Sequence, residues 1–228
     1  MNNFLKLFLS FYIYSFIGWV IETIYVSVKQ RKLANRGFLI GPYCPIYGVS
    51  AILMISFLGK YKHDILTLFI WGALIASISE YFTSLILEKI FKIRWWDYSH
   101  YKLNIDGRVC LNNSFIFGVM CVFLVNYLNP IVEIFINQIP TRLFDIAVPI
   151  IMISFIIDCI LSFTTIIKIK KIVSFNQNVR KDHTSEITEK VRETLINDSK
   201  KFDELIFNYN QSYLSLLIIQ LAEKQSTE

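Results

Sequence analysis

The chain has 228 residues, of which 54% are hydrophobic and 18% charged, with a net charge of +5. Soluble domains carry about 25% charged residues, so the deficit points to lipid, and the mean hydropathy of +0.46 agrees. Eight Gly and five Pro exclude a collagen-like chain, nineteen Phe and twelve Tyr exclude a disordered one, and four Cys are too few for a disulfide scaffold.

Crossing the hydrocarbon core takes roughly 20 mostly apolar residues. Five segments meet or approach that length. Residues 4–28 hold only Lys6 and Glu22 as charges, and 43–59 hold none. Residues 65–88 carry Glu80 and Glu88, 111–137 carry Glu133, and 146–167 carry Asp158. The second is the shortest and begins beside Pro45. The first is too long for a signal peptide and lacks a small-x-small cleavage site, so it is expected to stay as an anchor. The predicted fold is all-α: a polytopic membrane helical bundle of five transmembrane helices, residues 1–171, followed by a cytoplasmic helical tail, residues 172–228.

Lys and Arg counts predict the orientation. The loops at 29–42 and 89–110 and the start of the tail together hold twelve, and the opposite side holds four. That places the N-terminus outside and the tail in the cytoplasm. Because the excess of basic charge gathers at one membrane face, it says little about nucleic acid; the expected partner is the lipid bilayer, with no nucleic acid. In the tail, Ile187, Val191 and Leu195, then Phe202, Leu205 and Tyr209, recur at three- and four-residue steps. This is the pattern of an amphipathic helix, packing on itself, on a second copy or on a partner.

The two cytoplasmic loops are unusual. Gly37, Gly41, Pro42, Pro45 and Gly48 fall close together. They predict a rigid non-helical turn, whose exposed amides would suit an anion or a lipid head group. In the second loop, Arg94 and Asp97 bracket Trp95 and Trp96, and Arg108 follows Asp106 and Gly107. The Trp pair suits the head-group layer.

Acids inside spans are the sharpest signal, since a charge at mid-membrane costs roughly 2.5–3.5 kcal/mol on insertion scales. Glu22, Glu80 and Asp158 are expected in the inner half of the bilayer and Glu133 near the outer face. Glu80, Ser84 and Glu88 share a four-residue repeat on one helix face. Gly18, one turn before Glu22, permits close helix approach. Asn112 and Asn113 open the fourth helix at the same level. The expectation is a polar pocket or substrate pathway built from Glu22, Arg36, Glu80, Glu88, Arg94, Asp97, Arg108 and Asn112, with internal ion pairing as the plain alternative. No phosphate-loop, zinc-protease or nucleophile-elbow motif is present. The expected cofactors and metals are none, and no catalytic residue is assigned. Cys44 and Cys110 share the cytoplasmic face, where thiols stay reduced.

Five motifs occur in order. They are Gly18-Trp19-x-x-Glu22, the run from Arg36 to Gly48, Glu80-Tyr81 with Leu87-Glu88-Lys89, Arg94-Trp95-Trp96-Asp97-Tyr98-Ser99, and Asn104-x-x-Gly107-Arg108-x-Cys110-Leu111. Over roughly residues 4–160 the chain resembles the ABC-transporter type IV family, the CmpB-type permeases. The resemblance implies a bacterial multi-pass cell-membrane protein that lines a translocation pathway and relies on a separate ATPase subunit. A five-helix subunit would pair with itself, as a homodimer, or with another permease. Two other readings stand beside it. One is an interfacial enzyme or binding protein for a phosphate-bearing lipid-linked substrate. The other is a membrane scaffold or sensor acting through its tail.

Overall fold

A computed structural model describes residues 2–31, 37, 39–91 and 94–172, and helical positions at Glu193, Thr194, Ile196, Asn197 and Lys200. Arg36 and the amphipathic positions predicted for the tail lie outside the described residues.

The chain builds an α-helical membrane bundle. Helix α1 is Asn3–Gln30, α2 is Pro45–Leu58, and α3 is Ile65–Phe91. A two-stranded hairpin follows, β1 (Asn104–Ile105) and β2 (Val109–Cys110). Then come α4 (Leu111–Phe123), a π-helical turn at Leu124–Leu128, α5 (Asn129–Gln138) and α6 (Thr141–Ile172). Four rods are long and apolar enough to cross a membrane: α1, α3, the continuous α4–π–α5 rod and α6.

The second predicted span is short, as its sequence implies. Pro45 stands at the first position of α2, where its missing N–H costs nothing. The α-helix has 14 residues, about 21 Å at about 1.5 Å per residue, and a 3-10 turn extends it through Tyr61. The fourth span also departs from a plain helix. Pro130 has no N–H and its ring opposes the carbonyl four residues back. The rod answers with a π turn, in which the Asn129 amide donates to the Leu124 carbonyl.

Local signals set the helix ends. Asn2 caps α1 by accepting from the Phe4 amide at 2.9 Å, and Arg31 closes it at φ 50°. Asp64 precedes α3 and accepts from the Thr67 amide at 3.0 Å and its hydroxyl at 2.6 Å. Those two bonds hold the Asp64 carboxyl below its ordinary range.

Packing runs through neighbours in sequence: α1 on α2, α2 on α3, and α3 on α4. Helix α6 touches α1 and α3. In α3, Leu68, Gly72, Ala76, Glu80 and Ser84 are buried at four-residue intervals. Offset by two, Ile70, Leu74, Ile78, Phe82 and Ile86 are exposed. One face meets protein and the other presents a hydrocarbon surface suited to lipid.

Small residues bring the helices together, as expected where packing rather than water drives association. A Cβ on Gly18 of α1 would lie 2.4 Å from Tyr47 Cβ, and one on Gly48 of α2 would lie 2.6 Å from the Phe11 carbonyl oxygen. On α3 and α4 the pattern repeats. A Cβ on Gly72 would lie 2.2 Å from Cys121 Cβ, and one on Gly118 would lie 2.8 Å from the Phe69 carbonyl oxygen.

Candidate functional site: a polar network at the loop end

The C-terminal end of α1, the start of α2, the end of α3 and the hairpin loop meet at one end of the bundle. Tyr47 on α2 donates its hydroxyl to Glu22 Oε2 on α1. Tyr98 in the hairpin loop donates to Glu80 Oε1 on α3 at 3.0 Å. Burial foremost, then the charges of Glu80 and Glu22, push the Tyr98 phenol far above its ordinary range. Both carboxylates therefore act on one hydroxyl. Glu80 is 6% exposed, and its Oε2 has no hydrogen-bond partner among the described residues. Replacing Tyr98 by Phe removes the hydroxyl that serves this buried carboxyl. The expected loss is about 1–2 kcal/mol, readable as a lower unfolding midpoint in detergent.

The arginines sit one turn further along α3. Arg108 Nη1 lies 2.8 Å from Glu88 Oε2 and 3.0 Å from Ser84 Oγ. Arg94 Nε lies 3.4 Å from the same Glu88 oxygen. Its Nη1 reaches the Asp106 carbonyl at 3.0 Å and Asp97 Oδ1 at 3.7 Å. Asp97 also accepts from the Ser99 amide at 3.0 Å. Glu88 is thus the shared anion for two guanidinium groups, and together they clamp the loop onto α3. Asn112 is exposed in the first turn of α4, apart from this network.

The loop owes its shape to a two-stranded hairpin. Asn104 pairs with Cys110 and Ile105 with Val109. Asp106 and Gly107 turn the chain at φ 52° and 66°. Asp-Gly before a short apolar pair is a recognised hairpin signal. Gly107 is also needed for room, because a Cβ there would lie 2.4 Å from Asp97 Oδ1. Tyr81 on α3 donates to Asp106 at 2.9 Å, and the Tyr98 amide donates to the Gly107 carbonyl at 2.8 Å.

The tryptophans pin this loop rather than form a lipid belt. Trp95 is 3% exposed and packs edge-on against Phe91, which meets Phe163 of α6 at 4.9 Å. Trp96 donates its indole N–H to the Arg108 carbonyl at 3.0 Å. Cys110 is buried beside them, and burial pushes its thiol up. Iodoacetamide at neutral pH is expected to leave Cys110 unmodified in the folded protein and to label it after unfolding.

Two amides of the glycine- and proline-rich turn, those of Ile40 and Gly41, are already occupied. Asp158 of α6 accepts from the Ile40 amide at 3.0 Å and the Gly41 amide at 2.8 Å. Ser162, one turn on, bonds Asp158 at 2.9 Å. The Tyr43 hydroxyl also donates to Asp158. The anion expected at this turn is supplied by the protein itself. No pattern within one helix links Asp158 to turn residues more than a hundred positions away.

At the opposite end, α1 and α5 meet through polar groups. Tyr14 donates to Asn129 at 2.8 Å, Asn129 donates to Glu133 at 3.0 Å, and Lys6 donates to Asn137 at 3.0 Å. These residues border a cavity of about 380 Å³. Asn3, Lys6, Ser10, Tyr14, Gly18 and Glu22 recur at three- and four-residue steps, so they form one stripe of α1. The stripe runs about 28 Å at about 1.5 Å per residue and joins the cavity to the loop-end network.

Among the described residues no group of three or more His, Cys, Asp or Glu side chains could hold a metal ion. No curated protein and no solved structure matches the chain. Residues 9–163 match the family described as "Putative ABC-transporter type IV". That stretch contains all of α2, α3, the hairpin, α4 and α5 and most of α1 and α6, and the chain is a member of this ABC-transporter type IV family.

Proposed function

We propose that the chain is a permease component of a transporter in a bacterial cell membrane, driven by a separate ATPase. Its N-terminus lies outside and its two long loops lie in the cytoplasm. The observation that carries this reading is the polar stripe of α1. It connects a cavity at one end of the bundle to half-buried Glu22 and its buried neighbour Glu80 at the other, in a chain that belongs to a transporter family. Lipid-facing helices do not need such a stripe, and insertion opposes it.

The path is closed here between Tyr14 and Glu22, where Gly18 and Gly48 let α1 and α2 pack backbone to backbone. Opening it requires these helices to part. The hairpin loop is suited to transmit that motion. Arg94 and Arg108 fix it to Glu88 on α3, and Tyr98 ties it to Glu80. A force on the loop from a docked ATPase would therefore be felt by α3. A second copy, or another permease, would complete the wall of the path. The site would comprise Glu22 and Glu80 as pathway groups, with Glu88, Arg94, Asp97 and Arg108 as the clamp.

The reading as a phosphate-head-group site has less support. Arg94 and Arg108 both spend charge on Glu88, and the Ile40 and Gly41 amides are taken by Asp158. The test is purification of the tagged chain from its own membranes in mild detergent. A stoichiometric ATPase whose hydrolysis falls when Arg108 is replaced by Met is the expected result. A clean preparation with no ATPase, from cells where the protein is active, would overturn the proposal.

A further inference from the structure

The cavity between α1, α2 and α5 holds two opposite charges that are not spent on each other. Lys6 donates to the Asn137 side chain at 3.0 Å, and Glu133 accepts from the Asn129 side chain at 3.0 Å. Each charge is thus held by a neutral amide. Asn129, Glu133 and Asn137 stand one turn apart on α5, so the Lys6 ammonium, at Asn137, is about one helical turn, roughly 6 Å, from the Glu133 level. Tyr14 forms the floor: it is 3% exposed, and its hydroxyl orients Asn129, which orients Glu133. The π turn at Leu124–Leu128 leads directly into Asn129, and such turns often mark functional positions in helices. A volume of about 380 Å³ falls within the ordinary range for small-molecule sites.

We propose that this cavity binds a compact zwitterion, with its ammonium at Glu133 and its oxyanion at Lys6. A purely cationic solute would leave Lys6 as a like charge beside it, and a purely anionic one would face Glu133. A group carrying both signs a few bonds apart answers both. Ser10 and Tyr14 add neutral hydroxyls along the same wall. The shared chemistry could come from a free α-amino acid or from the head group of phosphatidylethanolamine. This deepens the transport reading and rests on it, since the cavity would be the outer station of the α1 stripe.

The test is thermal unfolding of the full chain in phosphatidylglycerol nanodiscs, whose head group lacks an ammonium. The probes are the standard L-amino acids at millimolar concentration and, in parallel discs, added phosphatidylethanolamine. A higher melting temperature with one or more amino acids, absent for their N-acetyl amides, supports a free solute. A rise only with phosphatidylethanolamine supports a head group. In either case Glu133→Gln and Lys6→Met should each abolish the rise, while Asp64→Asn, at the same end but outside the cavity, should keep it. No rise with any probe, or a rise that survives both substitutions, overturns the proposal. Binding is measured without ATPase or turnover. A positive result beside an ATPase-free preparation would therefore retire the permease reading and leave the site standing.

Discussion

Replacing Asp158 by Ala is expected to destabilise the bundle by about 3 kcal/mol, because each buried donor left unsatisfied costs about 1–3 kcal/mol. Four donors use this carboxylate: the Ile40 and Gly41 amides, the Ser162 hydroxyl and the Tyr43 phenol, with the Ile40 amide also reaching Ser162 Oγ at 3.2 Å. Asp158 is 8% exposed, so water cannot readily replace it. The turn carrying those amides leads directly into α2, whose Cys44 amide is already tied to the Ser15 carbonyl of α1 at 2.9 Å. Loss of the anchor should therefore loosen the entry to α2 as well as α6. Asp158→Asn keeps one carbonyl acceptor and is expected to lose roughly half as much. Denaturant unfolding in mixed micelles would measure both. Equal stability of Asp158→Ala and wild type would show that the turn holds its shape without α6.

Gly72→Ala is expected to cost about 1–3 kcal/mol, the range for extra methylenes in a tightly packed core. The added Cβ would stand 2.2 Å from Cys121 Cβ and 2.4 Å from its sulfur. Cys121 is fully buried and cannot swing away into lipid. The Cys121 Cα lies 3.8 Å away, at ordinary contact distance. Moving the side chain from one helix to the other should consequently restore the fit, and Gly72→Ala with Cys121→Gly is expected to recover most of the loss. Such non-additivity between touching residues is the signature of direct packing. If the double variant is no better than the single one, the close approach of α3 and α4 is not what the glycine supports.

Much of this architecture was legible in the residues. Long apolar runs locate the rods, and the four-residue repeat puts Glu80, Ser84 and Glu88 on one helix face, of which Glu80 and Ser84 are buried, because a helix imposes its own period. Gly18 was readable as a packing position because it shares a face with Glu22. Gly72 and Gly118 were not, since each faces a partner on another helix and a lone glycine in an apolar run has no period. Pro130 should have signalled a break in the fourth span, yet its response as a π turn depends on how the rod packs. The Asp-Gly turn was a missed local signal. Tyr47 and Tyr98 carry the hydroxyls that serve Glu22 and Glu80, and only the meeting of α2 and the hairpin with α1 and α3 reveals them.

The loop-end network also explains why a sequence can advertise charge without advertising chemistry. Arg94, Arg108 and Glu88 are conspicuous in an apolar chain, and their evident use is to hold a loop on a helix. Glu80 is different, because one of its oxygens is buried without a partner among the described residues. Among the buried acids it is the one whose cost is least offset locally, which makes it the strongest pathway residue in the proposed site.

The most direct test of the pathway is thiol accessibility along α1 in a version lacking Cys44, Cys110, Cys121 and Cys159. Single cysteines at Ser10 and Glu22 lie on the polar stripe, and those at Phe16 and Ile24 lie on exposed apolar positions assigned to lipid. In nanodiscs, a charged water-soluble methanethiosulfonate reagent is expected to modify Ser10→Cys and Glu22→Cys much faster than Phe16→Cys and Ile24→Cys. Equal rates at all four positions, or faster reaction at Phe16 and Ile24, would contradict a stripe that is open to water at its two ends.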